Sequence, residues 1–139
     1  MYKNSINVEL VLVAAAVVAI LLPVRTNSAA QNQPNVTRKV LMQQDLSIPG
    51  YTTALISVEI PVGGREGRHT HPGTLIVYVQ EGTLTLDYEG KPTKAYKPGE
   101  TFSVEPGKIH EGINKGNTPI KVLASFVGEK GKPITTQVQ

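Results

Sequence analysis

The sequence predicts an all-β fold closed into a small barrel or sandwich, on three observations. Turn formers are abundant, with 13 Gly and 10 Pro among 139 residues, and they fall at short, regular intervals between β-rich stretches. Leu84, Leu86 and Tyr88 alternate with Thr83, Thr85 and Asp87, the pattern of a strand with one face buried. No sustained helical period of apolar residues occurs outside an apolar run over residues 10–22.

The elements follow from the punctuation. Strands are expected at Val40–Gln43, Thr53–Ile60, Leu75–Gln80, Thr83–Tyr88, Lys94–Tyr96, Thr101–Val104, Glu111–Asn114, Ile120–Val127 and Thr135–Val138. The breakers between them are Pro49-Gly50, the segment 61–67, Glu81-Gly82, Glu89-Gly90, Pro98-Gly99, Pro106-Gly107, Gly116-Asn117 and the segment 128–131. Six aromatics follow residue 30, namely Tyr51, Tyr78, Tyr88, Tyr96, Phe102 and Phe126. Aliphatic side chains must therefore supply most of the core, and Tyr78 is expected to serve in packing and not as an acid or base.

Residues 1–30 have a different character. Lys3 supplies a positive start, and an uncharged run of 13 residues, Leu10 to Leu22, ends at Pro23. Ser28 and Ala30 then place small side chains at positions −3 and −1 of a cut before Gln31. This is the layout of a secretory signal peptide. The alternative is an uncleaved anchor, but a bilayer-spanning helix needs roughly 20 apolar residues, so cleavage is the expectation. The working chain is then a polar leader at 31–35 followed by the barrel at 36–139, periplasmic or secreted, with no stable membrane insertion.

Losing Lys3 and Arg25 takes the basic count from 14 to 12, and losing Glu9 takes the acidic count from 11 to 10, leaving a net charge of +2. These charges are scattered and form no basic stripe, which excludes nucleic acid as an expected partner. The chain has no cysteine, which excludes disulfides, thiolate catalysis, cysteine-based metal sites and a lipidated N-terminus. A small barrel with open edge strands is expected to self-associate, as a homodimer.

The three histidines, His69, His71 and His110, carry the expected chemistry. His69 and His71 are two apart, so in an extended segment both imidazoles face the same way. A third from another strand would complete a facial set for a divalent transition metal, with positions left open.

The surrounding residues make the pattern recognisable. Gly63, five residues, His69-Thr70-His71-Pro72 and then Tyr78-Val79-Gln80-Glu81-Gly82 resemble the first motif of the cupin family. Gly99, five residues, Glu105-Pro106-Gly107, two residues, His110, three residues and Asn114 resemble the second, with Glu105 where the family usually has proline. The resemblance runs from about Val36 to the C-terminus. It implies a single double-stranded β-helix barrel of jelly-roll type, with His69, His71 and His110 as metal ligands. It also implies a small-molecule partner. Fe(II) is the favoured ion, with Mn, Ni, Zn or Cu as alternatives.

The family's glutamate ligand is missing, because its slot, four residues after His71, holds Leu75. Three readings follow. The first is a three-histidine centre like that of some cupin dioxygenases, whose raised charge favours an acidic substrate. The second is a weak metal site in a non-enzymatic ligand-binding or sensor module. The third is that the histidines are an empty relic. Glu111 is expected to point away from His110, and Glu66 sits on a flexible loop from which it could bend inward. Arg65 and Arg68 are expected to be solvated loop charges near the mouth. Leu75, Val77, Leu84 and Phe102 are candidate walls of an apolar pocket. Asn114 is expected to make a structural hydrogen bond.

Overall fold

The computed structural model describes residues 35–138. They form ten strands: β1 (Thr37–Asp45), β2 (Tyr51–Ile60), β3 (His69–Thr70), β4 (Thr74–Glu81), β5 (Leu84–Tyr88), β6 (Lys91–Tyr96), β7 (Thr101–Val104), β8 (His110–Ile113), β9 (Ile120–Glu129) and β10 (Thr136–Gln137). Among the described residues there is no helix, hence none long and apolar enough to cross a membrane. The expected signal segment lies outside these residues, as does all of the polar leader but Asn35.

The strands make two antiparallel five-stranded sheets, ordered β1-β2-β9-β4-β7 and β10-β3-β8-β5-β6. The core lies between them. Alternate residues of β2, β4 and β9 point inward from the first sheet, among them Ile56, Val58, Leu75, Val77, Val122 and Phe126. Leu84, Leu86 and Tyr88 meet them from β5 in the second. This period-two burial is the all-β double-stranded β-helix that the alternation predicts.

Nine of the ten strands coincide with expected ones, and the differences have physical causes. β6 begins at Lys91, not Lys94, although Pro92 cannot donate to a ladder. β6 is a sheet edge, where a missing N–H costs nothing. Gly90, at φ 76°, closes the tight turn that pairs Tyr88 with Lys91. β1 extends to both sides of the predicted segment, exposed throughout, so burial periodicity could not mark its ends. β3 has only two residues, too few for any periodic signal. Tyr78 lies on the outer face of β4, away from the histidines, and is 45% exposed.

Candidate metal centre

The backbone register brings the histidines together. β3 and β8 pair antiparallel with His69 opposite His110, so the two rings share a face. His71 follows two residues after His69 and faces the same way. All three are buried. Ring centroids are 4.3 Å apart for His69 and His110, and 5.0 Å for each pair that includes His71. One ring nitrogen from each lies within 4.8 Å of the others.

The backbone also sets the tautomers. His69 Nδ1 donates to the Gly67 carbonyl at 2.7 Å, His71 Nδ1 to Ile134 at 2.7 Å, and His110 Nδ1 to Lys108 at 3.1 Å. A carbonyl only accepts, so each Nδ1 carries the proton and each Nε2 presents a lone pair. Burial pushes His110 down to about 4 and lowers His71 too, against the backbone hydrogen bonds that act the other way. Both are therefore neutral at pH 7. His71 Nε2 is buried with no hydrogen-bond partner. An unpartnered buried nitrogen is costly, and a metal removes that cost. Neutral imidazoles held by carbonyls at Nδ1 are what a divalent transition ion needs from a donor set, so the residues fit such an ion.

The histidines open on a cavity between the sheets, with Leu75, Val77, Leu84 and Phe102 among its walls as the sequence suggested. Its volume open to the centre of a water molecule is about 40 Å³. One water needs roughly 10–15 Å³ on that measure, so the room is for a small molecule.

A family model described as Cupin domain matches residues 56–126. This chain belongs to the cupin family. It is 31% identical over 121 residues to germin-like protein subfamily 1 member 17 of Arabidopsis thaliana, covering 79% of this chain and 52% of that protein. The cupin thus spans about half the length of the curated relatives it matches. Among solved structures it resembles an uncharacterised Klebsiella pneumoniae protein with a double-stranded β-helix domain, at TM-score 0.62 and 17% identity, covering 79% of this chain and 88% of that one. It also resembles an oxalate oxidase, at TM-score 0.56 and 26% identity, covering 62% of this chain and 46% of that one. The family is that of the cupins, and the three histidines form a cluster that could hold a metal ion.

Leu75 is 6% exposed and lines the cavity, so the family's carboxylate slot in this cupin is an apolar wall. Glu111 points away from the histidines, as strand parity requires, yet it is buried. It accepts from both Arg65 Nε, at 2.9 Å, and Arg65 Nη2, and from the Gly67 N–H at 3.1 Å. Arg65 is therefore an ion-pair partner, not the solvated charge expected, although its side chain is 51% exposed. The Arg65 fork holds the Glu111 carboxyl below the usual carboxylate range against the opposing effect of burial. The loop carrying Glu66 is not free either. Glu66 N–H donates to Gly112 O, Asn114 N–H to Gly64 O, and Arg65 bridges Ile113. Asn114 behaves as expected, donating to Ile60 O at 3.0 Å and Thr118 O at 2.8 Å and accepting from Gly116 N–H.

Sequence reasoning missed two parts of this site, the approach of Arg38 and the use of the C-terminal segment, whereas Glu66 turns inward as its loop allowed. Arg38 and Glu66 both line the cavity, and Arg38 reaches across from β1. The C-terminal segment supplies the Ile134 carbonyl to His71, while β10 pairs with β3. Arg38 fell outside the predicted strand, and a backbone carbonyl leaves no mark in a sequence.

Proposed function

We propose that His69, His71 and His110 hold a divalent transition metal, Fe(II) first among the candidates, and that the protein is an exported three-histidine cupin enzyme of dioxygenase type acting on a small acidic molecule. The observation that carries this is the shared arrangement of the imidazoles: Nδ1 spent on a carbonyl in each, and Nε2 of His71 buried without a partner beside a largely apolar cavity. A bound ion supplies Lewis-acid or redox chemistry that the side chains lack. The chain's own part is to hold three imidazole donors, exclude water with Leu75, Val77 and Phe102, and leave no protein carboxylate among the donors. Glu66 has both oxygens engaged, by Arg38 and by the Gly112 N–H, so it too stays off the donor set.

A second reading, a non-enzymatic binding or sensor module, is favoured by one feature. Apart from the histidines, the cavity's titratable groups are Arg38 and Glu66, which are tied to each other. Proton-transfer catalysis has no spare group there. In either reading residues 1–30 are a cleaved export signal, the protein is periplasmic or secreted, and the working form is a homodimer.

Metal content of the untagged protein, purified without oxygen and read by mass spectrometry, tests this. Near-stoichiometric transition metal that is lost in His69→Ala and His110→Ala supports the assignment. A folded protein that takes up no added divalent ion refutes it. The intact mass reads cleavage before Gln31 in the same sample.

A further inference from the structure

Within the cavity, charge is confined to one place. Among the described residues, Arg38 and Glu66 are its formally charged lining residues, and the rest, the histidines and Thr135 aside, is aliphatic or aromatic. Arg38 is there because of register: it stands opposite Val58 in the β1–β2 pair, and Val58 is buried facing the cavity. Cross-strand partners share a face, so Arg38 projects from the sheet edge over the apolar floor. The histidines come from the opposite sheet. Arg38 Nη2 donates to Glu66 Oε1 at 3.0 Å, and among the described residues this is the only hydrogen bond its guanidinium makes. A guanidinium offers five N–H donors in a planar fork, so most of this one remains open to a ligand. Its side chain is one-third exposed, which leaves it reachable.

From this arrangement we propose that Arg38 is the residue that recognises the ligand's anionic group, with the Glu66 carboxylate as its internal partner, and that the ligand is a small aliphatic monocarboxylate. The size of the cavity and its apolar walls set the body of the ligand. Charge sets the head group. Arg38 and Glu66 cancel, so beside a divalent ion a monoanion is well matched, whereas phosphate brings its second charge up against Glu66. The assignment of the ligand as a substrate rests on the metal-centre reading above, but recognition by Arg38 can be read without metal.

The test is calorimetric titration of the untagged protein, both metal-free and Zn(II)-loaded, with isobutyrate, isobutyramide and inorganic phosphate. Isobutyrate is expected to bind, with the amide and phosphate at least tenfold weaker. Arg38→Met keeps an apolar stem, removes the fork and should weaken isobutyrate binding by about 10- to 100-fold. Glu66→Gln removes the competing charge and should tighten it by about 2- to 5-fold. A merely structural role for the pair would weaken binding in both variants, so the opposite signs are diagnostic. Isobutyrate binding that is unchanged in Arg38→Met, equal for the amide, or undetectable in wild type overturns the inference. Metal content is measured on the same samples. Loss of isobutyrate binding in Arg38→Met with metal retained supports Arg38, and Arg38-dependent binding in a protein that takes up no metal supports Arg38 while refuting the metal centre.

Discussion

Leu75→Glu restores the carboxylate usual in the family, and its effect can be worked out in advance. Leu75 is buried on the inner face of β4, between Val104 of β7 and Phe126 of β9 in register. Removing a buried leucine forfeits about 1.5–3 kcal/mol of burial, partly regained by the methylenes of glutamate. Without metal the new carboxyl takes up a proton, and setting a neutral acid among apolar walls costs about 1–3 kcal/mol. The metal-free protein should therefore lose about 2–5 kcal/mol, or roughly 8–20 °C of Tm for a domain of this size.

With metal the group gives up its proton and becomes a fourth donor. A tenfold gain in affinity adds about 1.4 kcal/mol to the stabilisation at a given excess of metal, so the metal-induced rise in Tm should exceed that of wild type by roughly 5 °C. The assay is a thermal melt of wild type, Leu75→Glu and Leu75→Gln, each with and without Zn(II). Leu75→Gln has the same shape and cannot become an anion, so it should show the loss without the metal-dependent gain. Equal metal-induced shifts in all three proteins would refute the reasoning and make position 75 core rather than a donor position.

Three further predictions follow from the geometry. Glu111→Gln loses the anion that meets the Arg65 fork and sets an amide against its donors, which should cost about 1–3 kcal/mol in urea unfolding at unchanged m-value, the half-exposed arginine keeping the figure low. A Cβ at Gly73 would lie 2.1 Å from the Val127 carbonyl oxygen and 2.6 Å from Gly128 Cα, both backbone. Gly73→Ala must therefore push β4 and β9 apart, costing about 1–3 kcal/mol in thermal melts and lowering metal occupancy by displacing His71. Deleting residues 134–139 removes the Ile134 carbonyl from His71 and the Val138-to-Arg68 hydrogen bond. Competition with a chelating dye should show metal affinity reduced about 10- to 100-fold, with the far-ultraviolet spectrum of the barrel kept.

The all-β class, most strand positions, the apolar walls and the candidate histidines were legible in the amino-acid sequence. Each is written locally, in period-two alternation, in glycines and prolines at turns, and in the two histidines two positions apart. Asn114 was legible because its motif spacing carries its role. What the sequence left open depends on register between distant segments. Arg38 meets Glu66 across 28 residues, Arg65 meets Glu111 across 46, and His71 meets the Ile134 carbonyl across 63. No local pattern encodes those distances. They exist because the antiparallel ladders β1–β2, β3–β8 and β3–β10 slide into one alignment, and a slip of one residue would turn Arg38 out of the cavity and His110 away from His69. The kinds of group available to the site are a property of the sequence. Which nitrogen of each histidine is free, and which charge overlooks the cavity, was decided only by the tertiary structure.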